Sequence, residues 1–221
     1  YISLMGEENF EVNVQPTASF TATTECAGSA TSFTNGSTNG TSYSWNFGDG
    51  NGSSMSDPSH TYTNAGSYTV TLKTMHVGGC ESTTSSTVTV NAVPDASISA
   101  STECQGDATV FSNNTTVGSG TLTYAWDFGD GNSSTAAAPS HTYASAGNYV
   151  AILTASANGC SDKASVKVAV NANPIVDFKS DNVCIGNTTS FTNLSTGAAT
   201  YTWNFGDASS SGALHPTHKY A

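Results

Sequence analysis

The sequence predicts an all-β protein, a row of immunoglobulin-like β-sandwiches arranged as an elongated array. Three observations lead there. The 221 residues repeat with a period of about 80. Inside each repeat apolar residues alternate with polar ones, in short runs separated by Gly, Asn and Asp. No stretch shows the spacing of three and four that an amphipathic helix requires.

The period is read from recurring phrases. Trp45, Trp126 and Trp203 are spaced 81 and 77 apart, and each opens a Trp-x-Phe-Gly-Asp run. Ser59–Tyr62 (SHTY) returns as Ser140–Tyr143 and, as THKY, at Thr217–Tyr220. Upstream, Thr24–Asn35, Thr102–Asn113 and Asn182–Asn193 are three versions of one segment. A proline precedes an apolar position by four residues in every copy: Pro16 and Phe20, Pro94 and Ile98, Pro174 and Phe178. A unit of this length is too long for a solenoid repeat and can bury its own core.

The elements follow from the alternation. Tyr68, Val70 and Leu72 alternate with Thr69, Thr71 and Lys73, and Val166, Val168 and Val170 alternate with Lys167 and Ala169. Each pattern is that of a strand with one covered face. Roughly seven such strands per unit make two packed antiparallel sheets. Trp45, Trp126 and Trp203 are then core residues wedged between the sheets. The Asp-Gly tips that follow close tight hairpins, with glycine supplying positive φ and aspartate accepting backbone N–H bonds.

These residues resemble a known family. Trp-(Asn/Asp)-Phe-Gly-Asp-Gly, then Pro-Ser-His-Thr-Tyr, then Ala-Gly-(Ser/Asn)-Tyr-x-Val is similar to the PKD (polycystic kidney disease) domain. The resemblance covers nearly the whole chain. Its cysteine-containing form is similar to tandem units of bacterial surface and secreted proteins. The third unit departs by carrying Ala208 for the second glycine.

The expected domains are residues 15–93, 94–173 and an incomplete third at 174–221. Phe10, Val12 and Val14 alternate as Val166, Val168 and Val170 do. Residues 1–14 are therefore expected to be the last strand of a preceding repeat, or a donor strand completing another copy. The third unit is expected to continue beyond Ala221 in a longer array.

Five cysteines recur once early and once late per unit. Cys26 and Cys80 are 54 positions apart, Cys104 and Cys160 are 56 apart. The expectation is one disulfide inside each complete unit, Cys26–Cys80 and Cys104–Cys160, with Cys184 pairing further on. That usage belongs to an oxidising compartment, hence an extracellular or cell-surface location.

Composition removes several functions. With five lysines, no arginine and sixteen acids the formal charge is −11. Nucleic acid demands a basic surface, so it is excluded as a partner. No run approaches the roughly 20 apolar residues of a membrane span. There is no nucleophile elbow, zincin helix, P-loop or dinucleotide fingerprint.

The remaining candidates recur in register. His60, His141 and His218, with Tyr62, Tyr143 and Tyr220, read as structural parts of each unit. Asp49, Asp130 and Asp207 at the tips, with Asp127, are the only calcium candidates. Calcium wants six to eight oxygens, and Asp127 is replaced by Asn46 and Asn204 in the other units. No cofactor is expected, with calcium as the alternative. Val150 and Ile152 stand where the first unit has outward Thr69 and Thr71, and are candidates for an interface.

The expected function is non-catalytic: an extracellular rod or fibre of tandem units on a bacterial surface, assembling into filaments. Its partners would be other copies or neighbouring repeats, surface proteins or glycans. The alternative is the accessory region of a secreted protease or chitinase that engages insoluble substrate.

Overall fold

The alternating runs become strands in the order the pattern sets out, and among the described residues the strands form six sheets. The computed structural model describes residues 13–221. The strand expected within residues 1–14 therefore lies almost wholly outside the described residues.

The first unit contains β1 (Phe20–Ala22), β2 (Ala30–Asn35), β3 (Ser42–Asn46), β4 (Gly52–Ser53), β5 (Ser59–Thr61), β6 (Gly66–Met75) and β7 (Glu81–Val90). One sheet has the order β1-β2-β5 and the other β4-β3-β6-β7. Between them lie Phe33, Trp45, Phe47, Tyr62, Val70, Leu72, Val88 and Val90, all buried. The expected alternation holds: Val70 and Leu72 are wholly buried and Tyr68 half-buried, while Thr69 is exposed. Each fully buried aliphatic side chain contributes about 1.5–3 kcal/mol.

The second unit repeats this with β8 (Ile98–Ala100), β9 (Glu103–Cys104), β10 (Ala108–Asn113), β11 (Thr123–Asp127), β12 (Ser133–Ser134), β13 (Ser140–Thr142), β14 (Gly147–Ala157) and β15 (Cys160–Asn171). Its sheets run β13-β10-β8 and β12-β11-β14-β15-β9, with β9 parallel to β15. Trp126 opposes Leu153 across β11 and β14, as Trp45 opposes Leu72 across β3 and β6. Val150 and Ile152 point outward, 48% and 37% exposed.

The third unit has β16 (Phe178–Ser180), β17 (Thr188–Asn193), β18 (Trp203–Asn204), β19 (Ser210–Ser211) and β20 (Thr217–Lys219). Among the described residues it has no counterpart of the long hairpins β6–β7 and β14–β15. Its core face is accordingly open, with Phe178 54% exposed and Trp203 half-buried.

The cysteine pairing differs from the expected one. Neither Cys26–Cys80 nor Cys104–Cys160 forms. Cys26 bonds to Cys160 across 134 residues, joining the first unit to the second. Cys80, Cys104 and Cys184 are free thiols. The reason is the length of the hairpin. Cys26 pairs with Asn91, just past the end of β7, whereas Cys80 sits in the turn before β7 begins. Ten residues of strand separate those ends, roughly 33 Å at 3.3 Å per residue. A disulfide needs Cα atoms within about 7 Å, and Cys26 and Cys160 are 5.7 Å apart. Cross-linking a loop of this size stabilises by about 5 kcal/mol in the chain-entropy account.

The join is end to end. Asn91 donates its Nδ2–H to the carbonyl of Asn158 in the turn of the second hairpin, at 2.9 Å. Asp162 at the start of β15 accepts the N–H of Ala96 at 2.9 Å, tying the entry of the second unit to its own hairpin. A carboxylate so engaged is held below the ordinary range, by the Ala96 N–H first and the Lys163 N–H second.

Thr31 on β2 and Thr109 on β10 oppose His60 and His141 in register. Both are wholly buried, and neither hydroxyl has a partner. An unpaired buried hydroxyl costs stability that a methyl of similar shape does not. Replacing both (Thr31→Val, Thr109→Val) is expected to raise the unfolding free energy by about 1 kcal/mol per site. A urea titration with an unchanged slope and a lower midpoint would contradict this.

Candidate functional site

The Trp-x-Phe-Gly-Asp phrase forms the same tip three times, so its construction shows what the tips can do. In the first unit β3 ends at Asn46, whose Oδ1 accepts the N–H of Gly48 at 2.9 Å. Gly48 has φ +84°, and a Cβ there would lie 2.6 Å from the carbonyl oxygen of Thr69. Only glycine satisfies both demands. Asp49 then accepts the backbone N–H of Asn51 on Oδ1 and its side-chain N–H on Oδ2, each at 3.1 Å.

Asp49 also reaches across to β5. Its Oδ2 lies 2.7 Å from Nε2 of His60, which donates to the carboxylate. The His60 ring stacks on Phe47 at 4.4 Å and meets the edge of Tyr62 at 4.6 Å. Tyr62 in turn donates its hydroxyl to the Phe47 carbonyl at 2.9 Å. Trp45 donates Nε1–H to the Met55 carbonyl at 2.9 Å, so its ring is buried without an unpaired donor.

The second unit reproduces this geometry. His141 lies 2.7 Å from Asp130 and stacks on Phe128 at 4.3 Å. Tyr143 donates to the Phe128 carbonyl and Trp126 to the Ala136 carbonyl, both at 3.0 Å. In the third unit His218 pairs with Asp207 at 2.7 Å, and Tyr220 and Trp203 bond to Phe205 and Ala213. All twelve motif residues singled out in the sequence thus fall at one kind of corner. Three carboxylate–histidine pairs, each eleven residues apart, were not anticipated. Their signal was present, because Asp and His recur in the same register in every unit.

A paired His and Asp invites comparison with a proton relay, but the connections are wrong for one. Ser209, in the place of Asn51, donates to Asp207 and lies 3.3 Å from Nε2 of His218. Hydroxyl and carboxylate therefore meet the same ring nitrogen, whereas a relay places them on opposite nitrogens. Ala208 beside it is held at φ +69°, where the other two units have Gly50 and Gly131 at φ +93° and +90°.

Among the described residues no group of three or more His, Cys, Asp or Glu converges. Asp127 accepts the N–H of Gly129 at 2.9 Å, the task that Asn46 and Asn204 perform in the other units. Only one oxygen of carbonyl type is needed there, which explains the interchange of Asp and Asn. In the two complete units the tip carboxylates hold a histidine and an asparagine.

The description of the PKD domain matches the chain twice, over residues 12–90 and 91–170. The chain belongs to the PKD domain family. Among solved structures it is similar to the PKD1 domain of Vibrio anguillarum Epp, at 30% identity over 38% of this chain and 99% of that one, with a TM-score of 0.35. The PKD1 domain from Vibrio cholerae metalloprotease PrtV is similar at 32% identity, over 36% of this chain and 98% of that one, with a TM-score of 0.34. An I-band fragment from titin is 12% identical over 90% of this chain and 82% of that one, with a TM-score of 0.52. That last likeness concerns the fold alone, a row of immunoglobulin-like domains.

In these PKD units the corner network sets the titration of its members. Desolvation pushes the Asp49 and Asp130 carboxyls up, but hydrogen bonds from His60 and Asn51, and from His141 and Asn132, together outweigh it. Both groups are held below the usual carboxylate range. Asp207 is drawn down to about 2, by the Ser209 hydroxyl first and then by His218. Tyr62 and Tyr143 are pushed up to about 12, chiefly by burial and then by the neighbouring aspartate charge.

Two outcomes follow for the PKD corner. Tyr62→Phe strands the Phe47 carbonyl and is expected to cost about 1–2 kcal/mol of unfolding free energy; an unchanged denaturation midpoint would count against the bond. A carboxyl lowered in the folded state stabilises fully above its unfolded value, about 3.9, and less as pH falls through the folded value. Thermal stability is therefore expected to hold down to about pH 4 and to fall from there toward about pH 2. In Asp49→Asn with Asp130→Asn the neutral-pH stability drops and the acid-induced fall shrinks. An acid profile identical to that of the unmodified chain would refute the assignment.

Proposed function

We propose that this chain is a non-catalytic extracellular spacer on a bacterial surface, a stiff row of PKD units that holds apart whatever lies at its two ends. The observation that carries this reading is the Cys26–Cys160 bond. A disulfide inside one unit would only stabilise that unit, whereas one that spans a junction restricts how two units bend against each other. Such a bond persists in an oxidising environment, which supports a location outside the cell.

The rest of the surface suits a spacer. A formal charge of −11 spread over Ser- and Thr-rich faces keeps neighbouring molecules apart. Among the described residues no helix is long and apolar enough to cross a membrane. Neighbouring units are the first partners on this reading, and surface proteins or glycans at the ends the second. The outward pair Val150 and Ile152 offers a small apolar contact for side-by-side association into filaments. The three tips work in this reading without a cation or other cofactor.

The hairpin strand of the second unit is twelve residues long, so a unit measures about 40 Å at 3.3 Å per residue. Electron microscopy of the purified chain is expected to show elongated particles of about 80 Å or more, with the same lengths in a calcium chelator. In reductant the particles should show a wider spread of bend angles. Compact globules would overturn the spacer, and shortening in chelator would overturn its independence from cations.

A further inference from the structure

The two free cysteines of the complete units occupy the same positions as the two that are bonded. Cys26 is held beside Asn91, with the Ala27 N–H donated to the Asn91 carbonyl at 2.9 Å. Cys104 is held beside Asn171 in the same parallel pairing, with the Gln105 N–H donated to the Asn171 carbonyl at 2.9 Å. Cys80 closes the turn of the first hairpin, accepting the His76 N–H at 2.8 Å, as Cys160 closes the second.

A separate contact shows that the turn carrying Cys80 receives Asn13. Asn13 donates its Nδ2–H to the carbonyl of Gly78 at 3.4 Å, two residues before Cys80. Asn91 makes that contact with Asn158, two residues before Cys160. Asn13, Asn91 and Asn171 each stand three residues before the proline that opens a unit. Asn13 therefore sits on the hairpin turn of the first unit as Asn91 sits on that of the second.

We propose that Cys80 and Cys104 are half-latches for further PKD units of this cysteine-bearing type, each forming the inter-unit bond already seen between Cys26 and Cys160. Cys104 takes the hairpin-turn cysteine of a complete unit that follows. Cys80 takes the cysteine in the Cys26 position of a unit that precedes. In each case two thiols lose two protons and two electrons and gain one S–S bond. The electrons pass to a disulfide oxidant, such as oxidised glutathione or a disulfide-donating oxidoreductase. Every cross-link then spans a junction, and no unit is closed on itself.

The test keeps the full chain and inserts a second copy of residues 94–173 between Asn173 and Pro174. The inserted copy carries Cys104→Ser, leaving one cysteine of that kind, and Ser161→Thr as a mass label. The protein is oxidised with glutathione, alkylated, digested without reduction and mapped by mass spectrometry. The expected result is Cys26 bonded to the unlabelled Cys160 and Cys104 bonded to the labelled one. Cys104 alkylated, or joined to the Cys160 of its own unit, overturns the proposal. A second chain tests the other end, with a copy of residues 16–93 inserted between Gln15 and Pro16 and carrying Cys80→Ser and, as a mass label, Thr24→Ser. There the added Cys26 is expected on the original Cys80, and both thiols alkylated would overturn it. The readout is a thiol map, so it stands or falls separately from the particle lengths that test the spacer.

Discussion

The long hairpin of each complete unit, β6 with β7 and β14 with β15, runs the length of its sandwich and decides what sits at either end. Its inward residues, Val70, Leu72, Val88 and Val90 in the first unit, form one wall of the core. The pairing of Gly66 with Val90 at one end and Met75 with Glu81 at the other leaves no freedom in register. A slip of one residue would turn every buried side chain outward. That fixed length sends the turn to one end of the unit and Asn91 to the other, so the cysteines beside them cannot meet within a unit.

The corner built on Trp-x-Phe-Gly-Asp works at a different scale. It joins the two sheets of a unit rather than two units. His60 stacks on Phe47 from the one sheet while sitting on β5 of the other, and Asp49 holds the ring in that position. Tyr62 closes the circuit through the Phe47 carbonyl. Both carboxylate oxygens of Asp49, Nε2 of His60 and the Tyr62 hydroxyl are each engaged by a neighbour. The aspartates that read as calcium candidates when taken singly read as part of a brace when taken with His60 and Tyr62.

Much of this is legible in the sequence alone. Strand periodicity marked the buried face of β6 and β15, and recurrence of Trp, Asp, His and Tyr marked one structural corner per unit. The geometry explains the interchange of Asp127 with Asn46 and Asn204, because each accepts one backbone N–H. Two features were not read. The Asp–His pairs were hidden because sequence shows that two residues recur together but not that their side chains touch. The disulfide was misassigned because Cys26 and Cys80 are regularly spaced in the chain, and spacing carries no information about which end of a strand a residue occupies.

The sequence by itself determined the class of fold, the residues that fill the cores of the two complete units and the turns that need glycine. Those are local properties: they depend on alternation along a strand and on the backbone demands of a few positions. Only the tertiary structure decided which cysteines join and what the tip aspartates hold. Both depend on distances across the fold, roughly 33 Å of strand in one case and 2.7 Å between two side chains in the other. Pairing across a junction also requires two units to be placed against each other, and no repeat read alone contains that placement.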